Sequence, residues 1–379
     1  MNILLIYPYS SQHNLIKNFT SHLISEGICA DYICVDEYSY SIQSGAKWPI
    51  ITRTLLRIYA KTKNSFVRRC CGYLLSHFHR LIQAIISSYE FVDFHVASVS
   101  YLPYMHYCDH HEISYDITLW GSDVMRAKDE NLRKMQYGFE HCRYIKASSN
   151  LRETLNRRVG NIYDKKIKVL YFGNSDFANI DSLSPEQIGR IKKSLIKADD
   201  QSLIVVCGYN ASVGQNHLDI IQAMGDARIL FNRNVHLVFP LTYGGNDAYF
   251  QEIENKLKET GLPYTLLTHF LSSEELATLR KCSDVVINIQ DTDALAGSLQ
   301  DHLYCGNVCI FGDWLNYQIY VDNNVYYVKT SREGLSERIV SVINNFESYA
   351  QKCSANHEII KELLSWDSVI HKWSCLYGK

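Results

Sequence analysis

Short apolar runs recur along the chain and alternate with stretches whose apolar positions repeat every three or four residues. Asn2–Tyr7 (NILLIY) reads as a buried strand and Leu15–Glu26 as a helix. Further strands are expected at Ala30–Val35, Phe91–Ala97, Ile113–Trp120, Tyr144–Ala147 and Ile167–Tyr171, with helices between most of them. Apolar strands alternating with amphipathic helices predict a parallel sheet covered on both faces. The alternation pauses at Asn174–Pro185 (NSDFANIDSLSP), a polar, turn-rich stretch that reads as a linker. It restarts with strands at Leu203–Cys207, Val235–Leu241, Tyr264–Thr268 and Val285–Ile289, separated by helices at Gln215–Met224, Asp247–Thr260 and Ser273–Lys281. Asn307–Phe311 and Val325–Val328 are the last expected strands. The pattern predicts two doubly wound α/β domains, residues 1–175 and 176–355, with a C-terminal helix over 356–379 returning to the first.

Length and composition agree with two ordinary globular domains: 379 residues, 46% hydrophobic and 21% charged. The net charge of −2 names no partner. The N-terminus begins directly with a strand and carries no signal-peptide pattern, so a cytoplasmic protein with its twelve cysteines reduced is expected. No apolar run reaches the ~18 residues that span a bilayer. The distribution of charge is more informative. Between Glu37 and Glu90 there is no acid, yet the stretch holds Lys47, Arg53, Arg57, Lys61, Lys63, Arg68, Arg69 and Arg80. It reads either as a cationic surface for anionic headgroups or a diphosphate-linked lipid acceptor, or as the solvated face of two packed helices. The first alternative makes the protein peripheral on the inner face of the cytoplasmic membrane. No motif supports nucleic acid as a partner.

Candidate chemistry concentrates in the second domain. The loop Cys207–His217 (CGYNASVGQNH) follows its first strand, at the sheet end where doubly wound folds bind ligands. Gly208 and Gly214 allow close backbone approach, the next helix offers N–H groups to phosphate, and Asn216 and His217 stand where side chains could reach a diphosphate. An ordinary surface turn is the alternative. Directly after the strand at Val285–Ile289, Asp293 and Asp301 bracket Gly297 and Ser298, which read as a helix start with Ser298 at its cap. N–H groups there could take diphosphate oxygens and a carboxylate could hold ribose hydroxyls; alternatively Asp301 completes a capping box with Ser298. Tyr243 is either a diphosphate or sugar contact or a packing residue. In the first domain, Asp123 of Trp120-Gly-Ser-Asp123 either orients an acceptor hydroxyl or caps the next helix. Asp291-Thr-Asp293 is an Asp-x-Asp pattern that can hold a metal in single-domain transferases, but two doubly wound halves argue against that fold. Asp109-His-His-Glu112 could ligate metal on paper but has no identifiable distant partner ligand and reads as a polar helix end, so no metal or cofactor is expected.

The spacing of Asp293 and Asp301 resembles the acid-x7-acid element of retaining, family-four-like GT-B glycosyltransferases, usually two glutamates. The lead-in His269–Asp284 (HFLSSEELATLRKCSD) resembles the same family. The resemblance implies a GT-B fold, two Rossmann-like domains facing across a cleft. It also implies Asp293 beside the donor sugar, Asp301 on the ribose, and backbone from His269 to Leu271 at the nucleobase. A narrower resemblance, on Gly208–His217, Pro240–Gly244 with Asn246–Tyr249, and Leu119–Asp123, is to bacterial transferases that add 4-acetamido-4,6-dideoxygalactose to a polyprenyl-diphosphate-linked saccharide. The family often has Arg and Lys in the first loop of domain two; between Gly208 and His217 this chain has neither.

The expected protein is therefore a metal-independent, retaining hexosyltransferase. Its donor is a UDP-, GDP- or TDP-linked sugar and its acceptor a saccharide or polyprenyl-diphosphate-linked saccharide, in bacterial O-antigen (lipopolysaccharide) or capsule synthesis. A nucleotide-sugar 2-epimerase on the same fold and a non-catalytic scaffold subunit are the rivals.

Overall fold

The computed structural model describes residues 1–8, 13–35, 64–67, 79–80 and 82–378. Lys47, Arg53, Arg57, Lys61, Lys63, Arg68 and Arg69 lie outside the described residues, so the expected membrane or acceptor surface does too. No helix among the described residues is long and apolar enough to cross a membrane. The chain divides into two compact units: Met1–Gly173 with Val369–Lys379, and Asn174–Ser368.

In the first unit, strands β1 (Asn2–Tyr7), β2 (Cys29–Cys34), β3 (Phe91–His95), β4 (Ser114–Thr118), β5 (Ile145–Ala147) and β6 (Ile167–Val169) form one parallel sheet. Its order is β2-β1-β3-β4-β5-β6. Apolar residues on both faces explain the continuous runs: Ile3, Leu4, Leu5 and Ile6 are all fully buried. The interior also holds charge. Lys146 Nζ lies 2.8 Å from Asp93 and 2.9 Å from Asp116, all three side chains fully buried. Arg143 binds Asp116 through two nitrogens at 3.1 and 2.9 Å, and Thr118 donates to Asp93 at 2.9 Å. Tyr377, brought in by the helix Trp366–Leu376, donates its hydroxyl to Asp93 and lays its ring 4.0 Å from Lys146 Nζ. Two carboxylates and two cations thus satisfy each other, which is what makes their burial tolerable.

The second unit repeats the plan with β7 (Leu203–Cys207), β8 (Val235–Pro240), β9 (Tyr264–Leu267), β10 (Val285–Asn288), β11 (Val308–Gly312) and β12 (Val328–Thr330), all parallel. The order β12-β11-β10-β7-β8-β9 places the chain reversal between β7 and β10. The loops leaving the carboxyl ends of these two strands therefore diverge and open a crevice, the usual ligand position in such sheets. Helix ends follow local chemistry: Ser272 and Glu275 form a capping box on Ser273–Cys282, and Asn246 caps Asp247–Thr260.

Three expectations need correction. The stretch read as a linker contains the helix Asp176–Ser182, because Phe177 and Ile180, three apart, bury one face. The last strand begins at Val328 rather than ending there. The C-terminal segment is two helices, Asn356–Leu364 and Trp366–Leu376; residues through Ser368 belong to the second unit and only Val369–Lys379 to the first.

Candidate active site

The crevice of the second unit is built from three left-handed backbone positions. Gly208 (φ 68°) turns the chain out of β7, Asn216 (φ 59°) turns it into the helix His217–Ala227, and Leu295 (φ 70°) turns it into the helix Gly297–Tyr304. Such conformations in non-glycine residues cost free energy and concentrate at functional sites.

Side chains lock these turns together. Gln215 accepts from the Tyr209 N–H at 3.1 Å and donates to Gln290 at 2.8 Å, and the Tyr209 hydroxyl donates to Gln290 at 3.0 Å. Asp293 accepts from the Tyr317 hydroxyl at 2.8 Å and the Ala296 N–H at 3.2 Å, with the Tyr209 hydroxyl at 3.5 Å. Its burial pushes its pKa up, while Tyr317, the Ala296 and Leu295 N–H groups and Gln290 pull it down. Asn216 spends its amide on the Ile289 carbonyl and Asp291, and Asp291 also takes Arg332 at 2.7 Å. The two carboxylates of Asp291-Thr-Asp293 thus serve different partners. No group of three or more His, Cys, Asp or Glu side chains among the described residues is arranged to hold a metal.

His217 is not placed as a diphosphate-binding cation. Its ring is fully buried, with Nδ1 facing the Tyr249 hydroxyl at 3.1 Å. Burial lowers its pKa to about 4, although the Asn210 backbone pulls it up, so it is neutral at pH 7. A Cβ on Gly208 would come within 2.8 Å of its Nε2. His217 is a prop beneath the loop.

The helix Gly297–Tyr304 starts differently from the expectation. Ala296, not Ser298, is its N-cap. Ser298 lies in the first turn, where its hydroxyl accepts from Arg280 at 2.7 Å, so no capping box forms with Asp301. Gly297 is exposed, and a Cβ there would meet nothing closer than the Asn174 amide at 3.9 Å. The first N–H groups of a helix have no intrahelical acceptor and carry the positive end of its dipole. Asp301 is 4% exposed; it accepts from the Asn174 amide at 2.7 Å and faces Arg280 Nε at 3.4 Å. Burial raises its pKa to about 6 against the pull of Arg280.

Two further loops end at the same edge of the sheet. Tyr243, after β8, is 51% exposed, and Phe270, after β9, is 79% exposed. Their rings lie within 9° of parallel with centroids 6.4 Å apart. His269 is exposed beside Glu275 and Leu271 is half-buried. In the first unit, Asp123 gives its carboxylate to the N–H groups of Ala97, Trp120 and Gly121 at 2.9, 3.1 and 2.7 Å. It therefore ties the loops after β3 and β4 together; the helix Ser122–Met125 that it belongs to has Gly121 as its N-cap and no side-chain cap.

Sequence reading passed over Tyr209, Gln290, Tyr317 and Arg280. Gln290 carried a usable signal, a polar residue immediately after a buried strand. Arg280 carried little, since a basic residue near a helix C-terminus is ordinary.

No protein-family model matches the chain, and no curated protein matches it in sequence. Solved structures match it over its length. The Anabaena protein HepE, crystallised with UDP and glucose, superposes with a TM-score of 0.73 at 13% identity, covering 100% of this chain and 99% of that one. A glycosyltransferase from Rickettsia africae gives 0.72 at 13% identity, covering 99% and 97%. The UDP-GlcNAc 2-epimerase of Neisseria meningitidis, bound to UDP-GlcNAc, gives 0.59 at 12% identity over 100% of both chains. Two six-stranded parallel sheets with this likeness are the GT-B glycosyltransferase fold.

Proposed function

We propose that this chain is a glycosyltransferase whose second unit binds a nucleoside-diphosphate sugar. The observation that carries the reading is the crevice at the β7/β10 switch point. There the Gly208–Asn216 loop, the buried Asp293 network and the exposed start of Gly297–Tyr304 converge. The diphosphate lies against Gly297 and Ser298, whose N–H groups and helix dipole stabilise the charge that develops as the sugar leaves. With His217 neutral, this stabilisation falls to the helix start. Asp293 sits beside the donor sugar, Asp301 serves the ribose, and the base lies by Tyr243 and His269–Leu271. HepE, crystallised with UDP and glucose, favours a UDP-type donor among UDP, GDP and TDP.

The finer reading is retaining, metal-independent transfer to a saccharide acceptor, lipid-linked and presented at the inner membrane face through the basic stretch, in bacterial surface-polysaccharide synthesis. Retention follows from the family resemblance; no side chain of the site is placed as a nucleophile. The 2-epimerase rival shares the fold, but its superposition is poorer than that of HepE and it needs no basic surface. A non-catalytic scaffold would bind no donor.

The test is binding of UDP, GDP and TDP to the wild-type protein and to Gly297→Val, each with and without chelator. Wild type should bind one of them regardless of chelator. The valine should block it more than about 10-fold at unchanged melting temperature, since the position has room for a Cβ. No binding by folded wild-type protein would replace this reading with the scaffold.

A further inference from the structure

The helix Ser273–Cys282 buries Ala277, Thr278 and Leu279, and with them a guanidinium: Arg280 is 5% exposed. All three of its nitrogens are engaged by one neighbour, the helix Gly297–Tyr304. Nη2 donates to Ser298 Oγ at 2.7 Å, Nη1 to His302 Nε2 at 3.0 Å, and Nε faces Asp301 Oδ2 at 3.4 Å. A guanidinium only donates, so His302 Nε2 must accept and the ring is neutral with its proton on Nδ1. That Nδ1 is buried without a hydrogen-bond partner among the described residues, and burial holds the His302 pKa well below its ordinary value. An apolar side chain would fill this place without orphaning a buried N–H, so the arrangement gives up stability to fix Ser298 and Asp301.

We propose that Arg280, which itself touches no ligand, is the positioning residue of the donor site: it fixes the Asp301 carboxylate for the ribose hydroxyls and the Ser298 hydroxyl at the diphosphate end. The inference rests on the nucleotide-binding reading above and supplies what the first loop lacks, a cation acting from beneath the helix. The groups facing Asp301 are Arg280, Asp176 from the helix Asp176–Ser182, and the protonated Cys305 and Tyr320. Among the described residues Arg280 is the cation there. Burial and Asp176 raise the Asp301 pKa, to about 6, and Arg280 opposes them. Without Arg280 the carboxyl would be protonated at neutral pH and could no longer accept hydrogen bonds from two vicinal hydroxyls.

The experiment compares UDP (or GDP, whichever binds) with its 2′-deoxy counterpart between about pH 5 and 9 for wild type, Arg280→Met and Arg280→Lys. Wild type should prefer the ribonucleotide about 10-fold or more above the Asp301 titration and lose that preference on acidification through it. In Arg280→Met the preference should vanish at neutral pH and return only about a pH unit or more higher. Lysine, a shorter point charge, should give an intermediate midpoint and carries the test if the methionine variant fails to fold. A packing role would weaken both nucleotides equally and leave the midpoint unmoved. An unmoved midpoint in a folded variant, or no ribose preference in wild type, overturns the proposal. Binding of TDP alone, whose deoxyribose lacks the 2′-hydroxyl, also overturns the proposal, whereas failure of wild type to bind UDP, GDP or TDP overturns the donor-site reading on which it rests.

Discussion

Acid should destabilise both units of this protein, and the buried imidazoles set how much. His95 in the first unit and His217 in the second are fully buried, and burial lowers each pKa to about 4. In the unfolded chain both return to about 6.5. Between those values the unfolded state binds more protons than the folded one, so stability is complete above about pH 7 and falls as pH drops through 6.5 toward 4. At about pH 5 linkage gives ~2 kcal/mol lost per histidine. His302 acts in the same direction as His217. Asp301 acts oppositely: its folded pKa of about 6 lies above the unfolded ~4, so protonating it on the way to pH 5 returns ~1 kcal/mol to the second unit. The assay is urea unfolding at about pH 7.5 and 5, followed by tryptophan fluorescence, on wild type and His217→Gln. Whatever the variant's stability at the higher pH, its loss between the two pH values should be smaller by ~2 kcal/mol. An equal loss in both proteins would show that His217 titrates normally and would refute the buried, neutral ring assigned here.

Other outcomes follow from the same contacts. Tyr377→Phe removes a hydroxyl donated to the buried Asp93 carboxylate and should cost ~1.5–3 kcal/mol by denaturant titration. Lys146→Met leaves Asp93 and Asp116 short of a cation and should cost more, ~3–5 kcal/mol, by the same measurement. Gly208→Ala must hold φ 68° and bring a Cβ within 2.8 Å of His217 Nε2 and 2.9 Å of Gln215 Oε1. Its melting temperature should fall and nucleotide affinity should fall with it. Phe270→Ala should weaken a nucleoside diphosphate about 5- to 150-fold, the range of losing one base–aromatic stack, and leave inorganic pyrophosphate unaffected in calorimetry.

The fold was legible where physics is local. β1 and β7 appear at their expected bounds because continuous apolar runs bounded by turns have few alternatives. The Asn174–Pro185 stretch misled because its composition is polar while two residues, Phe177 and Ile180, carry the helix by burial. The candidate site was legible as a place in the sheet, the loops after β7 and β10 where the strand order reverses, but not as wiring. Ser298 looks like a cap in sequence, yet the helix starts at Gly297 and its hydroxyl answers a buried arginine from another helix. His217 looks like a ligand residue, yet the turn at Asn216 points it inward. Contacts between residues remote in sequence decided each of these, and periodicity carries no trace of them.

The closing of the first unit by its own tail has a consequence for biogenesis. Residues Met1–Gly173 leave the ribosome long before Val369–Lys379, with the whole second unit translated in between. At ~5–20 residues per second that is a wait of roughly 10–40 s. Throughout it Asp93, Lys146 and Asp116 lack the tyrosine that covers them, and Trp373 has not yet joined the ring cluster of Phe19 and Phe172. The later-made unit therefore has what it needs to finish folding first, and the earlier-made one is the natural client of chaperones during synthesis.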